Sequence, residues 1–240
     1  MDRARGQGDD LVEEHINEQG DPDFNVGGIK RDMPPELQLE QLLSYMEATY
    51  EDSENYLALL PDRITHAAML MLGSAVDHTM PGVAYAGDVT IEGSPFGPIF
   101  RPSAPTGIWC ISLYDGPMNA QEHSWRPDVA AAAELSGTTI LDLDDPATAE
   151  EAVRFARAEA TTVATWAFGA AVPPAADATI LTFPTERRDA DFVQVGTRDE
   201  VGAKVEGTEY HSTHYIATPA ESRRKIRDVA EFLKHLPLER

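Results

Sequence analysis

Two histidines three residues apart, His211 and His214, are the side chains of this 240-residue chain best suited to moving a proton. A histidine can act as a general base on a hydroxyl or a water. The spacing could also place both rings on one metal, but no third ligand stands near them, and no metal site or cofactor is expected. The single cysteine, Cys110, excludes an internal disulfide and a cysteine-based zinc site. It lies in the apolar run Ile108-Trp109-Cys110-Ile111 and reads as a small buried hydrophobe rather than a reactive thiol. Residues 161–169, TTVATWAFG, read as a short buried strand running into a sharp small-residue turn. Such a corner can present a nucleophile, yet the residue before its last aromatic is Ala167, whose methyl cannot attack a carbonyl.

Composition narrows the classes. Hydrophobic residues make up 42% of the chain and no apolar run is long enough to span a membrane. The start, MDRARG, lacks the apolar core of a secretory signal, so a cytoplasmic location is expected. A formal net charge of −22 argues against binding a nucleic-acid backbone or an anionic membrane surface. Acid is concentrated early, at Asp9, Asp10, Glu13, Glu14, Asp21 and Asp23, and residues 1–33 are expected to be an acidic, poorly ordered arm.

The elements that must position these groups follow from periodicity. Pro34-Pro35 opens a helical stretch with Leu39, Leu42, Leu43 and Met46 on one face. Pro61 interrupts, Asp62 can cap a second helix, and Ile64, Ala67, Ala68, Met71, Leu72 and Ala75 form its apolar face until Met80-Pro81-Gly82 ends it. Residues 34–82 are thus a helical region. From 83 to 240 the pattern becomes strands alternating with helices, an α/β domain with a mostly parallel central sheet. Its opening, with Val89-Thr90-Ile91 and Pro98–Arg101 about a Gly93-Ser94-Pro95 turn, reads as an antiparallel hairpin. Strands follow near 108–113, 138–143, 161–165, 178–183 and 192–195. A helix runs from Pro127 to a stop at Gly137, another follows an Asp145-Pro146 cap, and Thr218-Pro219-Ala220-Glu221 is a capping box for the last.

From about residue 87 to 236 this order resembles an α/β-hydrolase, in detail the hormone-sensitive-lipase-like carboxylesterases. Residues 93–102, GSPFGPIFRP, look like that family's opening hairpin, and 109–117, WCISLYDGP, like the strand feeding its HGGG oxyanion loop. Residues 141–146, LDLDDP, fall where the family has its V-D-Y-R-L-A-P segment. Residues 195–199, VGTRD, match the G-x-x-D turn that carries the acid, and 209–214, EYHSTH, the segment ending in the histidine. Residues 161–169 look like the G-x-S-x-G nucleophile elbow. The resemblance implies that Asp199 orients His214 and that Ala167 stands at the nucleophile position. It also implies that Asp115, Gly116, Trp166, Ala167, Phe168 and His211 surround a binding site. The competing reading makes Asp199 a turn residue, His214 a packed or surface histidine, and Trp166 and Phe168 core.

The departures point one way. Ala167 replaces the serine, Thr165 the first elbow glycine, and only Gly116 remains of the glycine run. Asp115 places negative charge where an oxyanion needs donors. Residues 170–176, with Pro173 and Pro174, leave no room for the helix after the elbow, and the span from Asp199 to His214 is too short for a helix and a strand together. The expectation is a shortened, catalytically degenerate hydrolase-fold protein, a pseudoenzyme binding a small acyl or ester ligand or a partner. The alternative is an active serine carboxylesterase or acyl hydrolase whose nucleophile is mutated at Ala167 or lies elsewhere. Ser112 and Ser212 are the nearest other serines, and neither has an elbow context. A third possibility is an interaction protein with no pocket. Because parallel strands are apolar on both faces, residues 34–80, a second copy or another protein must cover the sheet where helices are missing.

Overall fold

The computed structural model describes residues 33–73 and 77–237. The expected acidic arm therefore lies outside the described residues, apart from Met33, and so does Ala75. Gln38–Arg240 form one compact unit.

Among the described residues three helices come first. Helix α1 (Pro35–Thr49) buries Leu39, Leu42 and Met46, spaced as its sequence predicts. Helix α2 (Leu60–Leu72) buries Leu60, Ile64, Ala67 and Ala68, whereas Met71 is exposed. Pro61 sits in its first turn and Asp62 lies inside the helix rather than capping it. Met80-Pro81-Gly82 does not end α2 but starts a short helix, α3 (Pro81–Tyr85). Proline suits a first helical turn because its missing N–H has no partner there in any case.

Eight strands then form one sheet: β1 (Thr90–Gly93), β2 (Pro98–Arg101), β3 (Ile108–Leu113), β4 (Thr139–Asp142), β5 (Thr162–Phe168), β6 (Ala178–Thr182), β7 (Phe192–Gly196) and β8 (Thr208–Tyr210). Their spatial order is β1-β2-β4-β3-β5-β6-β7-β8. The pairs β1–β2 and β2–β4 are antiparallel, and every other pair is parallel. The central strands β3 and β5 are buried along their whole lengths, as apolar strands between two layers must be.

One layer is made by α4 (Arg126–Ser136) and α6 (Pro219–Lys234), which pack their alanines, Val129, Ile226, Val229 and Leu233 against Cys110, Ile140, Trp166 and Ile180. Gly137 ends α4 at φ 72° and returns its N–H to the Ala133 carbonyl. Thr218 caps α6 by accepting from the Glu221 amide. Among the described residues the opposite layer has one helix, α5 (Ala149–Glu159), which covers β3 and β5 through Ala152, Val153 and Ala156. Asp145 caps the turn that leads into it. The connections after β5, β6 and β7 carry no helix.

Two further features differ from the sequence expectation. The chain is already helical at Met118–Ala120 and passes through a π-helical turn, Gln121–Trp125, before α4. Buried Asp142 pins that turn, accepting from Ser112 Oγ at 2.7 Å, Gln121 Nε2 at 2.7 Å and Arg126 Nε at 3.0 Å. Residues 34–73 and 77–80 also do not lie on a bare sheet face. Leu42, Met46, Leu60 and Ile64 form their own cluster, which meets Leu57, Met80 and Ile216 and roofs the C-terminal edge of the sheet. Among the described residues no helix is long and apolar enough to cross a membrane.

Candidate active site at the carboxyl edge of the sheet

The loops that follow parallel strands gather at the strands' carboxyl ends, and in open α/β sheets ligands bind there. Asp199 stands in the loop after β7. Its Oδ1 accepts from the amides of Val201 at 3.0 Å and Gly202 at 2.7 Å, a local turn that fixes the carboxylate. Glycine is required at 202, because a Cβ there would lie 2.8 Å from the Asp199 Cγ.

His214 follows β8, in a tight turn where the Thr213 amide donates to the Ile216 carbonyl and Thr213 Oγ1 accepts from the Ile216 amide at 2.9 Å. Its Nδ1 lies 2.9 Å from Asp199 Oδ2, with the two side chains 5% and 4% exposed. A buried carboxylate on Nδ1 fixes the ring and leaves Nε2 as the basic atom.

The groups facing this pair are aromatic. The His214 ring packs edge-on against Phe168 at 5.1 Å and Tyr215 at 4.6 Å, with Phe183 at 6.2 Å. Phe168 is the last residue of β5 and also meets Tyr114 and Trp125. Phe183 holds φ 49°, an uncommon left-handed value that turns the chain sharply after β6.

Ala167 does not stand on the turn. Strand β5 continues to Phe168, and Ala167 pairs with Leu113 and Leu181 inside the sheet. Successive strand residues point to opposite faces, so its methyl packs with Leu181 and Ala171 in the α5 layer while Phe168 takes the histidine's side. The turn comes two residues later at Gly169, φ 65°. Trp166 is fully buried and donates to Thr182 Oγ1 at 2.8 Å, a core role.

Asp115 leaves the end of β3 and its Oδ2 accepts from the Ala170 amide at 2.6 Å. Gly116 is held close to the Tyr114 ring, where a Cβ would fall 2.6 Å from Cζ. His211 donates its backbone amide to Glu221 Oε2 at 2.9 Å. Among the described residues no three histidines, cysteines or carboxylates converge as a metal would require. Neither alternative serine serves the histidine. Ser112 Oγ donates to Asp142 and accepts from Trp125 Nε1, while Ser212 is fully buried and its hydroxyl has no partner among the described residues.

Phe168, His214 and Tyr215 open into a cavity of about 260 Å³. Leu57, Leu60, Ile64, Met80 and Val83 give it apolar walls from the N-terminal helices and the segments between them, and Tyr114 and Trp125 line it from the sheet side. Burial pushes the Tyr114 phenol up, reinforced by Tyr215 and Asp115. Tyr215 is raised as well, by burial first and then by the charges of Asp115 and Asp199. Both phenols keep their protons at neutral pH and remain donors. No motif or spacing marks Tyr215, Trp125, Lys225 or Asp128 as cavity residues. Each reads as one more aromatic or helix-surface charge until the layers meet.

No protein-family model and no curated protein matches the sequence. Solved structures do resemble the fold. A hormone-sensitive lipase from a metagenome library superposes with a TM-score of 0.52 at 10% identity, over 85% of this chain and 99% of that one. An arylesterase gives 0.51 at 10% identity, over 84% and 99%. At such identity the likeness is one of fold: this chain has an α/β-hydrolase-like architecture resembling the hormone-sensitive-lipase-like esterases.

Proposed function

We propose that this protein is a catalytically degenerate member of the esterase-like α/β-hydrolase architecture that binds a small acyl or ester ligand in the cavity beside His214. One observation carries the reading. The base is assembled, but the groups it would serve are not. An aromatic ring, Phe168, stands against His214 where acyl transfer needs a hydroxyl. The Ala170 amide, which follows the strand-end turn and would suit an oxyanion, is already taken by the Asp115 carboxylate. A fixed anion at that amide opposes the charge that develops on a tetrahedral intermediate.

The preassembled Asp199–His214 pair favours a second reading, an acyl hydrolase that activates water directly. Initial rates on short-chain aryl esters separate the two. The binding reading expects rates at the buffer background for both the wild type and His214→Ala. Robust turnover that disappears in His214→Ala would overturn it in favour of the hydrolase.

A further inference from the structure

Most of the cavity wall is apolar, but Lys225 of α6 and Asp128 of the first turn of α4 reach the same space as His214. Their side chains are only 12% and 13% exposed, and Nζ lies 3.6 Å from Asp128 Oδ2. That is well beyond the 2.7–2.9 Å of a tight charge-assisted hydrogen bond. Among the described residues neither side chain has another hydrogen-bond partner, and the ammonium also sits 5.5 Å from the centroid of the Phe183 ring. Burial raises the Asp128 carboxyl pKa against the pull of Lys225, as expected of a carboxylate short of partners.

A buried ion pair of this kind contributes little to stability compared with apolar residues of the same volume. It does hold unspent valences. An ammonium has three donors and a carboxylate about four acceptor sites, and each has used at most one on the other. The pair is neutral as a whole, so a carboxylate ligand that reaches Lys225 also meets Asp128. An ester carbonyl can engage Lys225 but offers nothing to Asp128. A carboxamide satisfies both, its oxygen accepting from Nζ and its N–H donating to the carboxylate.

We propose that the Lys225–Asp128 pair makes this cavity selective for a small apolar carboxamide over an ester or an acid of the same size. The acyl chain would lie along Leu60, Ile64 and Met80, and the volume restricts it to a short one. This rests on the reading that the cavity holds a small acyl ligand. It adds the head group, since a site built to hydrogen-bond a donor discriminates strongly against analogues that lack it.

Calorimetric titration with hexanamide, methyl pentanoate and hexanoate tests the proposal, with quenching of Trp125 fluorescence as a second readout. Hexanamide is expected to bind about tenfold or more tighter than either of the others. In Lys225→Met/Asp128→Leu, which removes both charges together, the preference is expected to collapse to about twofold. Ester or acid binding as tightly as the amide to the wild type would overturn the selectivity. So would an amide preference that survives in a double variant with native circular dichroism. Failure of all three probes to bind the wild type would instead overturn the reading of the cavity as an acyl site.

Discussion

Gly169 and Asp115 should be energetically coupled, and the size of the coupling follows from the geometry. Gly169 holds φ 65°, and a Cβ there would lie 2.7 Å from the Asp115 Cγ, well inside van der Waals contact. Gly169→Ala therefore carries two penalties. The left-handed backbone costs about 1–2 kcal/mol for a residue with a side chain. The displaced carboxylate also loses the Ala170 amide. Hydrogen bonds to charged groups contribute about 1.5–3 kcal/mol, but Asp115 is exposed, and solvent screening brings this one to about 1 kcal/mol. Asp115→Ala should then cost about 1 kcal/mol and Gly169→Ala about 2–3 kcal/mol. The double variant should cost no more than Gly169→Ala alone, a coupling of about 1 kcal/mol. Urea unfolding followed by tryptophan fluorescence resolves such differences as midpoint shifts at constant slope. Strict additivity of the two substitutions would show that the carboxylate does not occupy that amide, and the argument about the blocked oxyanion donor would fall with it.

Three further outcomes follow. Ala167→Ser puts a hydroxyl in the apolar α5 layer, so it should cost about 1–3 kcal/mol and give no hydrolysis; Phe168→Ser, despite losing about 3–5 kcal/mol of packing, is the variant expected to show His214-dependent ester cleavage, and activity in the first alone would reverse the assignment of faces. Burial works against ionising Glu221, but Arg224 and the His211 amide outweigh it and hold its pKa below the ordinary 4.5. A lowered folded-state pKa means that its stabilisation is present above pH 4.5 and is lost as pH falls through the folded value, so Glu221→Gln should flatten the acid limb of the stability curve; an unchanged limb would contradict this. Burial pushes the Cys110 thiol far up, so it should resist a thiol reagent in the native state and react only at the rate of unfolding.

Much of this architecture is legible where one local rule acts alone. Gly137 and Thr218 mark helix ends because a left-handed C-cap and a hydroxyl N-cap are set by neighbouring residues. Ile108–Leu113 reads as a central strand because both its faces are apolar. The antiparallel hairpin and the absence of helices after β5 and β7 follow from turn residues and segment lengths. The π-helical turn Gln121–Trp125 was not legible, because it is held by hydrogen bonds to Asp142 and Ser112, distant in sequence. A strand that stops at Thr165 puts Ala167 on the turn. A strand's side chains alternate, so extending it to Phe168 exchanges the residue that faces His214. The Asp199–His214 contact is what the family resemblance implies, whereas the Lys225–Asp128 pair needs the packing of α4 on α6.

The central claim is that the cavity holds an acyl compound without cleaving it, and one proton NMR experiment addresses both halves. Methyl pentanoate in excess over the protein is observed by saturation transfer while its methoxy signal is integrated over hours. The account predicts transfer from protein to the ester's alkyl protons and a methoxy integral that tracks the buffer control. Methanol appearing in proportion to protein in the wild type, and not in His214→Ala, would contradict it; so would the absence of any transfer.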